Sequence, residues 1–249
     1  MMNFNTKTIH MRKIILIGFF AVSVTIVNAQ TWNKIKSSVP KNIKPSSSAL
    51  SEEEVGKGLK EALNKGVEKG VAHLSKPDGY FKDAEIKIPM PEKAKNVEKK
   101  LRDMGQGKKV DEAILSMNRA AEDAANAAKP LFVAAIKNMS ITDAMSILKG
   151  EKNAATEYLK KSTSAALTEK FQPIIKVSLD KVGATKHWET VFVTYNKLPM
   201  VEKVNPNLEE YVTEKAIYGL FVQVAKEELQ IRDNPSARVT DLLKKVFGK

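Results

Sequence analysis

The sequence predicts an all-α, single-domain bundle of about nine helices. Apolar residues recur at three- and four-residue spacing through most of the chain between residues 51 and 248. Gly, Pro and Asn separate these stretches at short intervals. The chain shows no internal repeat and no convincing pair of strands. Because helices with short connections bury their apolar faces against one another, this pattern favours a multi-helix bundle.

Residues 1–29 have the pattern of a cleavable signal peptide. Three basic residues precede the apolar run "IILIGFFAVSVTIV", and "VNA" then places small residues before Gln30. The run is shorter than the roughly 20 residues that span a bilayer, although an uncleaved anchor is the alternative. We therefore expect export to the periplasm or cell envelope, with either Met1 or Met11 as the true start.

The charge and the lack of cysteine limit the classes of function that the protein can have. The chain has no cysteine, which excludes disulfides, thiol chemistry and a lipid-modified cysteine. Removal of the signal peptide lowers the formal charge from +12 to +9, because it takes away three basic residues and no acidic one. The remaining lysines alternate with glutamates, as on solvated helix faces, so nucleic-acid binding is not expected. Peripheral contact with an anionic membrane face stays open.

The first helix follows a flexible lead-in over residues 30–50, which contains two prolines and five serines. Ser51 and Glu54 match a capping box, in which each side chain satisfies a free backbone donor of the other residue. A stripe of apolar residues continues from there to Leu74. Gly66 and Gly70 lie beside this stripe, and we expect them to let another helix approach closely.

The stretch "KPDGYF" (76–81) predicts a turn, and residues 84–91 alternate in a way that allows one short extended segment. Helices follow over 92–104 and 109–128, and Pro130 suits the first turn of the next one. The remaining predicted helices are a short one from Ser140 to Gly150, 152–182 with a break or kink at Pro173, an amphipathic 186–198, a long 208–231 and a short 237–248.

A row of polar residues interrupts the alanine-rich stretch "NRAAEDAANAAKP" (118–130). Asn118 and Glu122 lie at the edge of an apolar helix sector, and Arg119 can reach Glu122 within the helix. Buried polar groups need partners, so Asn118 and Glu122 should find them on other helices. The candidate members of this polar seam or ligand site are Asn118, Arg119, Glu122, Tyr195, Asn196, Glu228, Arg232 and Arg238. A structural network and a ligand or catalytic pocket are both open interpretations.

Signs of an enzyme are otherwise few, and no catalytic residue is identified. The mature chain keeps only His73 and His187, which lack the spacing of a metal site. A nucleophile elbow and a phosphate-binding loop are both missing. The adjacent Glu227 and Glu228 should point to different faces of their helix. We expect no metal and no cofactor.

Several stretches resemble one protein family. They occur in the order "LSEEEVGKGLKEALNKGVEKGVAHLSKPDGYF", "IKIPMP", "NRAAEDAANAAKPLF", "MSITDAMSILKG", "KVGAT", "YNKLP" and "NPSARVTDLLKKVFG". Together they resemble the bacterial domain of unknown function 4197 family (DUF4197) over about residues 50–248. The resemblance implies an exported, mainly helical protein without an established activity, so it supplies no catalytic residues. Some relatives carry a lipoprotein-type signal, for which this chain lacks the cysteine.

The leading functional expectation is a non-enzymatic envelope protein that binds or scaffolds an envelope lipid, a glycan or another envelope protein. An apolar or anionic ligand between helices would require a continuous cavity. One alternative is a hydrolase-like enzyme that uses Glu122, Arg119 and Tyr195 in an open cleft. Another is a structural module that binds a partner protein through the 237–248 helix and an exposed apolar patch. The sequence leaves the oligomeric state open.

Overall fold

The computed structural model describes residues 50–185, 188, 193, 196–197, 200, 203, 205, 207–238 and 240–247. The all-α prediction is confirmed, since these residues form eight α-helices and two short 3-10 helices but no strand. The α-helices are α1 (Glu52–Leu74), α2 (Lys95–Asp103), α3 (Gly107–Ala125), α4 (Ala128–Asn138), α5 (Ile141–Lys149), α6 (Ala154–Lys181), α7 (Leu208–Asp233) and α8 (Asp241–Phe247). The 3-10 helices are Glu92–Ala94 and Pro235–Ala237. Most of the predicted 186–198 helix lies outside the described residues.

Local sequence signals account for where several helices begin. The predicted capping box of Ser51 and Glu54 forms at the start of α1, and a second box, of Ser140 and Asp143, forms at the start of α5. Pro130 lies in the first turn of α4, where the missing N–H costs no hydrogen bond. Capping therefore accounts for the starts of α1 and α5, and Pro130 is compatible with the start of α4.

The helix α6 runs without interruption through Pro173, so of the break or kink predicted at this residue the break does not occur. Proline removes the hydrogen bond to the carbonyl of Glu169. Pro173 and Glu169 are both exposed, which leaves that carbonyl within reach of water. Because the opposite side of α6 is buried from Leu167 to Leu179, core packing holds the helix together across the proline.

Residues 84–91 form turns and irregular backbone rather than a strand. The predicted alternation is nevertheless present, because Ile86, Ile88 and Met90 are buried while Lys87 and Pro89 are exposed. Among the described residues no strand lies alongside to form a ladder. The peptide of Ile88 pairs instead with a side chain of α3, as described below.

The helix α7 forms the centre of the core and contacts α1, α3 and α6. Gly66 and Gly70 allow α1 to approach it closely, as predicted. A Cβ atom at Gly66 would lie 3.4 Å from Glu227 Cβ, and one at Gly70 would lie 3.3 Å from Gln223 Cγ. No single helix among the described residues has the length and apolar composition needed to cross a membrane. Helices α4 and α5 meet that test only as a pair bent by 103°.

Candidate functional site

Glu122, on α3, is a buried carboxylate whose two oxygens both accept hydrogen bonds within the protein. Its side chain is 4% exposed. Oε1 accepts the backbone N–H groups of Tyr80 and Phe81 at 3.1 and 3.3 Å. Oε2 accepts Nη1 of Arg119 at 2.6 Å. Glu122 therefore holds the turn that follows α1.

Arg119 links this carboxylate to the surface of the same turn. Its Nη2 donates to Asp78 Oδ1 at 2.7 Å, and Lys82 lies 2.8 Å from the other oxygen of Asp78. Lys82 and Arg119 together lower the pKa of Asp78 from its usual value. Asp78 has a φ of 72°, a left-handed conformation that aspartate tolerates better than most residues. The ion pairs therefore stabilise an uncommon backbone conformation.

Asn118 is fully buried and uses its side-chain amide as a substitute for a neighbouring strand. Its Oδ1 accepts the N–H of Ile88 at 2.9 Å, and its Nδ2 donates to the carbonyl of Ile88 at 2.9 Å. The second hydrogen of Nδ2 goes to the carbonyl of Ile114 at 2.8 Å. Both polar groups of Ile88 are thus satisfied without a β-sheet.

Tyr80 anchors the same segment to α7. It is 0% exposed, and its hydroxyl donates to the carbonyl of Ala216 at 2.7 Å. Burial raises the pKa of this phenol, and the charge of Glu122 adds to the rise. The ring lies against Gly219, where a Cβ atom would come within 2.6 Å of Tyr80 Cε1. We call Asp78, Tyr80, Asn118, Arg119 and Glu122 the Glu122 network.

Glu228, on α7, is a second buried carboxylate and caps the start of α6. Its side chain is 3% exposed. Oε1 accepts the N–H of Ala155 at 3.0 Å, while Oε2 accepts the N–H and hydroxyl of Thr156 at 2.9 and 2.8 Å. Asn153 precedes α6 but makes no capping bond with its own side chain. Glu228 thus supplies from another helix the acceptor that an N-cap residue normally provides.

Arg232 and Arg238 complete this second cluster. Arg232 donates from Nε to Glu228 at 2.9 Å and from Nη2 to the carbonyl of Ile147 at 2.8 Å. Arg238 donates to the carbonyls of Ile231 and Arg232 at 3.2 and 2.8 Å, which caps the end of α7. We call Ala155, Thr156, Glu228, Arg232 and Arg238 the Glu228 network.

Six of the eight predicted polar residues therefore fall into two networks rather than one. The prediction that Asn118 and Glu122 find partners on other helices is wrong. Both side chains instead accept hydrogen bonds from backbone groups between residues 80 and 88. On α7, Ala216, whose carbonyl accepts the Tyr80 hydroxyl, lies about 18 Å from Glu228 at the rise per residue of an α-helix. Tyr195 lies outside the described residues, and Asn196 lies in a turn.

Sequence reasoning missed Asp78 and Tyr80, although both belong to the predicted turn. One signal was available in Gly219, which lies well inside α7 and marks a close approach. The adjacent glutamates do point to different partners, as predicted. Glu227 accepts Lys69 Nζ at 2.8 Å from α1, whereas Glu228 faces α6.

The packing around these carboxylates leaves little room for a ligand. Two cavities that the described residues of α1, α6 and α7 line each have a volume of about 10 Å³, enough for one water molecule. Both touch Glu228, and neither touches Glu122. Among the described residues, no group of three or more His, Asp and Glu side chains could hold a metal ion. Both networks hold segments of the backbone in place through hydrogen bonds.

The short helix α8 packs against the bundle. Val246 is 8% exposed, and Phe247 packs against Ala62 and Ile231. These two apolar side chains therefore pack against the rest of the chain. Large apolar side chains that remain exposed are spread over several elements: Met104, Val133, Ile141, Val177, Val182, Val193, Met200, Tyr218 and Leu229.

Comparison with known proteins supports one assignment. No curated protein matches the chain, and no solved structure matches it. One family model matches over residues 49–248, which include α1 to α8 and hence both networks. By that match, the chain belongs to the family described as protein of unknown function, DUF4197.

Proposed function

We propose that the protein is a non-enzymatic component of the cell envelope that holds another envelope component on its helical surface. The observation that carries this proposal is that both buried carboxylates hold backbone and arginine groups of the fold through structural hydrogen bonds. A general base or nucleophile needs a free acceptor beside the substrate. Glu122 is 4% exposed, already accepts two backbone N–H groups and Arg119, and touches neither of the cavities described above, so it is poorly placed to meet a substrate.

The packing also favours the outer surface over the interior as the place of binding. A lipid or glycan fragment needs a pocket of about 300 Å³ or more. The cavities around α1 and α7 are about 10 Å³. The inward packing of Val246 and Phe247 further favours faces other than α8 for a partner. The signal-peptide pattern of residues 1–29 supports the envelope as the location.

Native mass spectrometry of the mature protein, purified gently from its own envelope, tests the proposal. A parallel sample is treated with an amine-reactive cross-linker before lysis. We expect the untreated protein to have the mass of the bare chain, and the treated sample to contain a reproducible cross-linked envelope product. A stoichiometric small-molecule adduct on the untreated protein would contradict surface binding, as would the absence of any cross-linked product.

A pair of variants separates scaffolding from catalysis. Glu122→Gln removes the charge of the carboxylate that a hydrolase would use, and Glu228→Gln makes the same change in the other network. At a temperature where both variants stay folded by circular dichroism, we expect both to give the wild-type yield of cross-linked product. A selective effect of Glu122→Gln on that product, with Glu228→Gln unchanged, would favour chemistry at Glu122.

A further inference from the structure

The turn that joins α2 to α3 is open to solvent. No residue of α2 is buried, and this helix packs mainly on α3 and on the 3-10 helix that precedes it. Gly105 has a φ of 75°, and a Cβ atom at this position would meet no atom of the described residues within 4 Å. We call residues 99–109 the α2–α3 tip. A partner from outside can therefore reach this tip without displacing other described parts of the chain.

The apolar face of α2 continues into the α2–α3 tip. Val97, Leu101 and Met104 are four and three residues apart, so they lie on one face of the helix. Val97 and Leu101 are partly buried and pack against the core. Met104, the last of the three, is 72% exposed. The packed face thus ends in a long, flexible apolar side chain that extends into solvent.

Basic side chains surround Met104. Between residues 99 and 109 the one acidic residue is Asp103, whereas five are basic: Lys99, Lys100, Arg102, Lys108 and Lys109. Lys99, Arg102 and Lys108 have carboxylate partners at the surface. Such exposed pairs hold their members weakly. Lys100 and Lys109 have no carboxylate partner among the described residues, and each lies about one helical turn from the Met104–Gly105 turn.

The acidic residues beside the tip lie behind it. Glu98, Asp111 and Glu112 are six or seven positions from Gly105, which is about 9 to 10 Å along the two helices. This distance exceeds the Debye length of about 8 Å at physiological ionic strength. A negatively charged surface that touches the tip would therefore meet mainly the basic side chains.

We propose that the α2–α3 tip rests on the anionic headgroup surface of a membrane, with Met104 inserted among the headgroups. Lysines beside an exposed apolar side chain fit such a surface, because the ammonium groups meet the phosphates while the apolar group enters the acyl boundary. Each Lys or Arg close to an anionic membrane strengthens binding about fivefold. With a single apolar side chain inserted, the attachment is peripheral and reversible.

The signal-peptide pattern of residues 1–29 is consistent with a place beside a membrane. The inference goes beyond the proposed function, because it concerns the surface on which the protein itself rests and not the component that it holds.

Flotation of the mature protein with lipid vesicles tests the membrane contact. One set of vesicles is phosphatidylcholine with about 30% phosphatidylglycerol, and the other is phosphatidylcholine alone. We expect the protein to float with the anionic vesicles and not with the neutral ones in about 50 mM salt. It should be released from the anionic vesicles in about 500 mM salt, because the charges are then screened.

A pair of double variants tests whether the tip makes the contact. Lys100→Gln combined with Lys109→Gln should raise the dissociation constant for the anionic vesicles about 25-fold, at about fivefold per lysine. The matched control combines Lys160→Gln with Lys170→Gln, which removes the same charge from exposed positions of α6 and should have a much smaller effect. All four lysines are exposed, so both variants should keep the wild-type circular dichroism spectrum.

The absence of cysteine permits a direct test of the position of Met104. A fluorophore that brightens in apolar surroundings is attached to the Met104→Cys variant. In the control it is attached to Val177→Cys, at a 55% exposed position of α6. Anionic vesicles should brighten the label at position 104 and leave the label at position 177 unchanged.

Three results would overturn the membrane contact. One is a protein that floats equally with both kinds of vesicle or with neither. Another is an equal loss of binding in the two double variants, since net charge and not the tip would then govern adsorption. The third is a label at position 104 that does not brighten, which would leave the tip in water. Each result leaves the scaffold proposal standing, because that proposal is judged by the cross-linked envelope product.

Discussion

The two networks solve the same problem for different pieces of backbone. Glu122 and Glu228 each accept two backbone N–H groups and one arginine of their own helix. The side chain of Arg119 is 37% exposed, whereas that of Arg232 is 13% exposed. Glu122 holds a turn near the surface, and Glu228 holds the start of a long core helix. We therefore expect the contribution of each carboxylate to the free energy of unfolding to depend on how readily water reaches the donors that its removal would leave unpaired.

The largest expected effect is that of Glu228→Ala. It leaves the guanidinium of Arg232 and the N–H groups of Ala155 and Thr156 without their acceptor in a buried place. We expect the free energy of unfolding to fall by about 4 kcal/mol, measured by urea denaturation. A loss below about 1 kcal/mol would show that water reaches the start of α6 and replaces the carboxylate.

Glu122→Ala should cost less, about 2 to 3 kcal/mol in the same measurement. Arg119 can turn towards water, and it keeps its ion pair with Asp78. The N–H groups of Tyr80 and Phe81 still lose their acceptor. If Glu122→Ala proved more destabilising than Glu228→Ala, the exposure of the arginine would not be what distinguishes the two networks.

Gly219→Ala should destabilise the protein by about 2 kcal/mol, because its Cβ would overlap the ring of Tyr80. Thermal and urea unfolding measure the loss, with Gly66→Ala as the milder control since its closest contact is 3.4 Å. Tyr80 belongs to the Glu122 network, so Gly219→Ala should combine non-additively with Glu122→Ala. It should add simply to Glu228→Ala, and coupling there would contradict the independence of the networks.

The smallest effect should come from Asp78→Asn, which keeps a residue that tolerates a positive φ but removes the ion pairs with Lys82 and Arg119. These cations lower the pKa of Asp78, so its carboxylate stabilises the fold above the unfolded pKa. That contribution disappears as the pH falls through the lowered pKa. Melting temperatures of the variant and the wild type should therefore differ slightly at pH 7 and converge under strongly acidic conditions. A constant difference would contradict this assignment.

The sequence predicts where the helices lie better than it predicts the hydrogen-bond partners of the buried polar side chains. Capping residues placed the starts of α1 and α5, and the alanine-rich setting marked Asn118 and Glu122 as buried polar groups. Their partners are backbone groups of residues 80–88, and an N–H group has no sequence signature that would pair it with a distant side chain. Glu228 is among the polar residues predicted from the sequence, but its sequence context assigns it no partner. Its role at Thr156 depends on how α6 and α7 pack, which local periodicity does not encode.

The anchoring of Tyr80 has a consequence for the order of folding. The contacts of the turn segment connect residues 42 positions apart at Glu122 and 136 positions apart at Ala216. Contacts between such distant residues form late, because the intervening chain must first be ordered. At ordinary rates of synthesis, Ala216 follows Tyr80 by on the order of 10 s. The turn segment around Tyr80 therefore reaches its native contacts only after α7 has been synthesised.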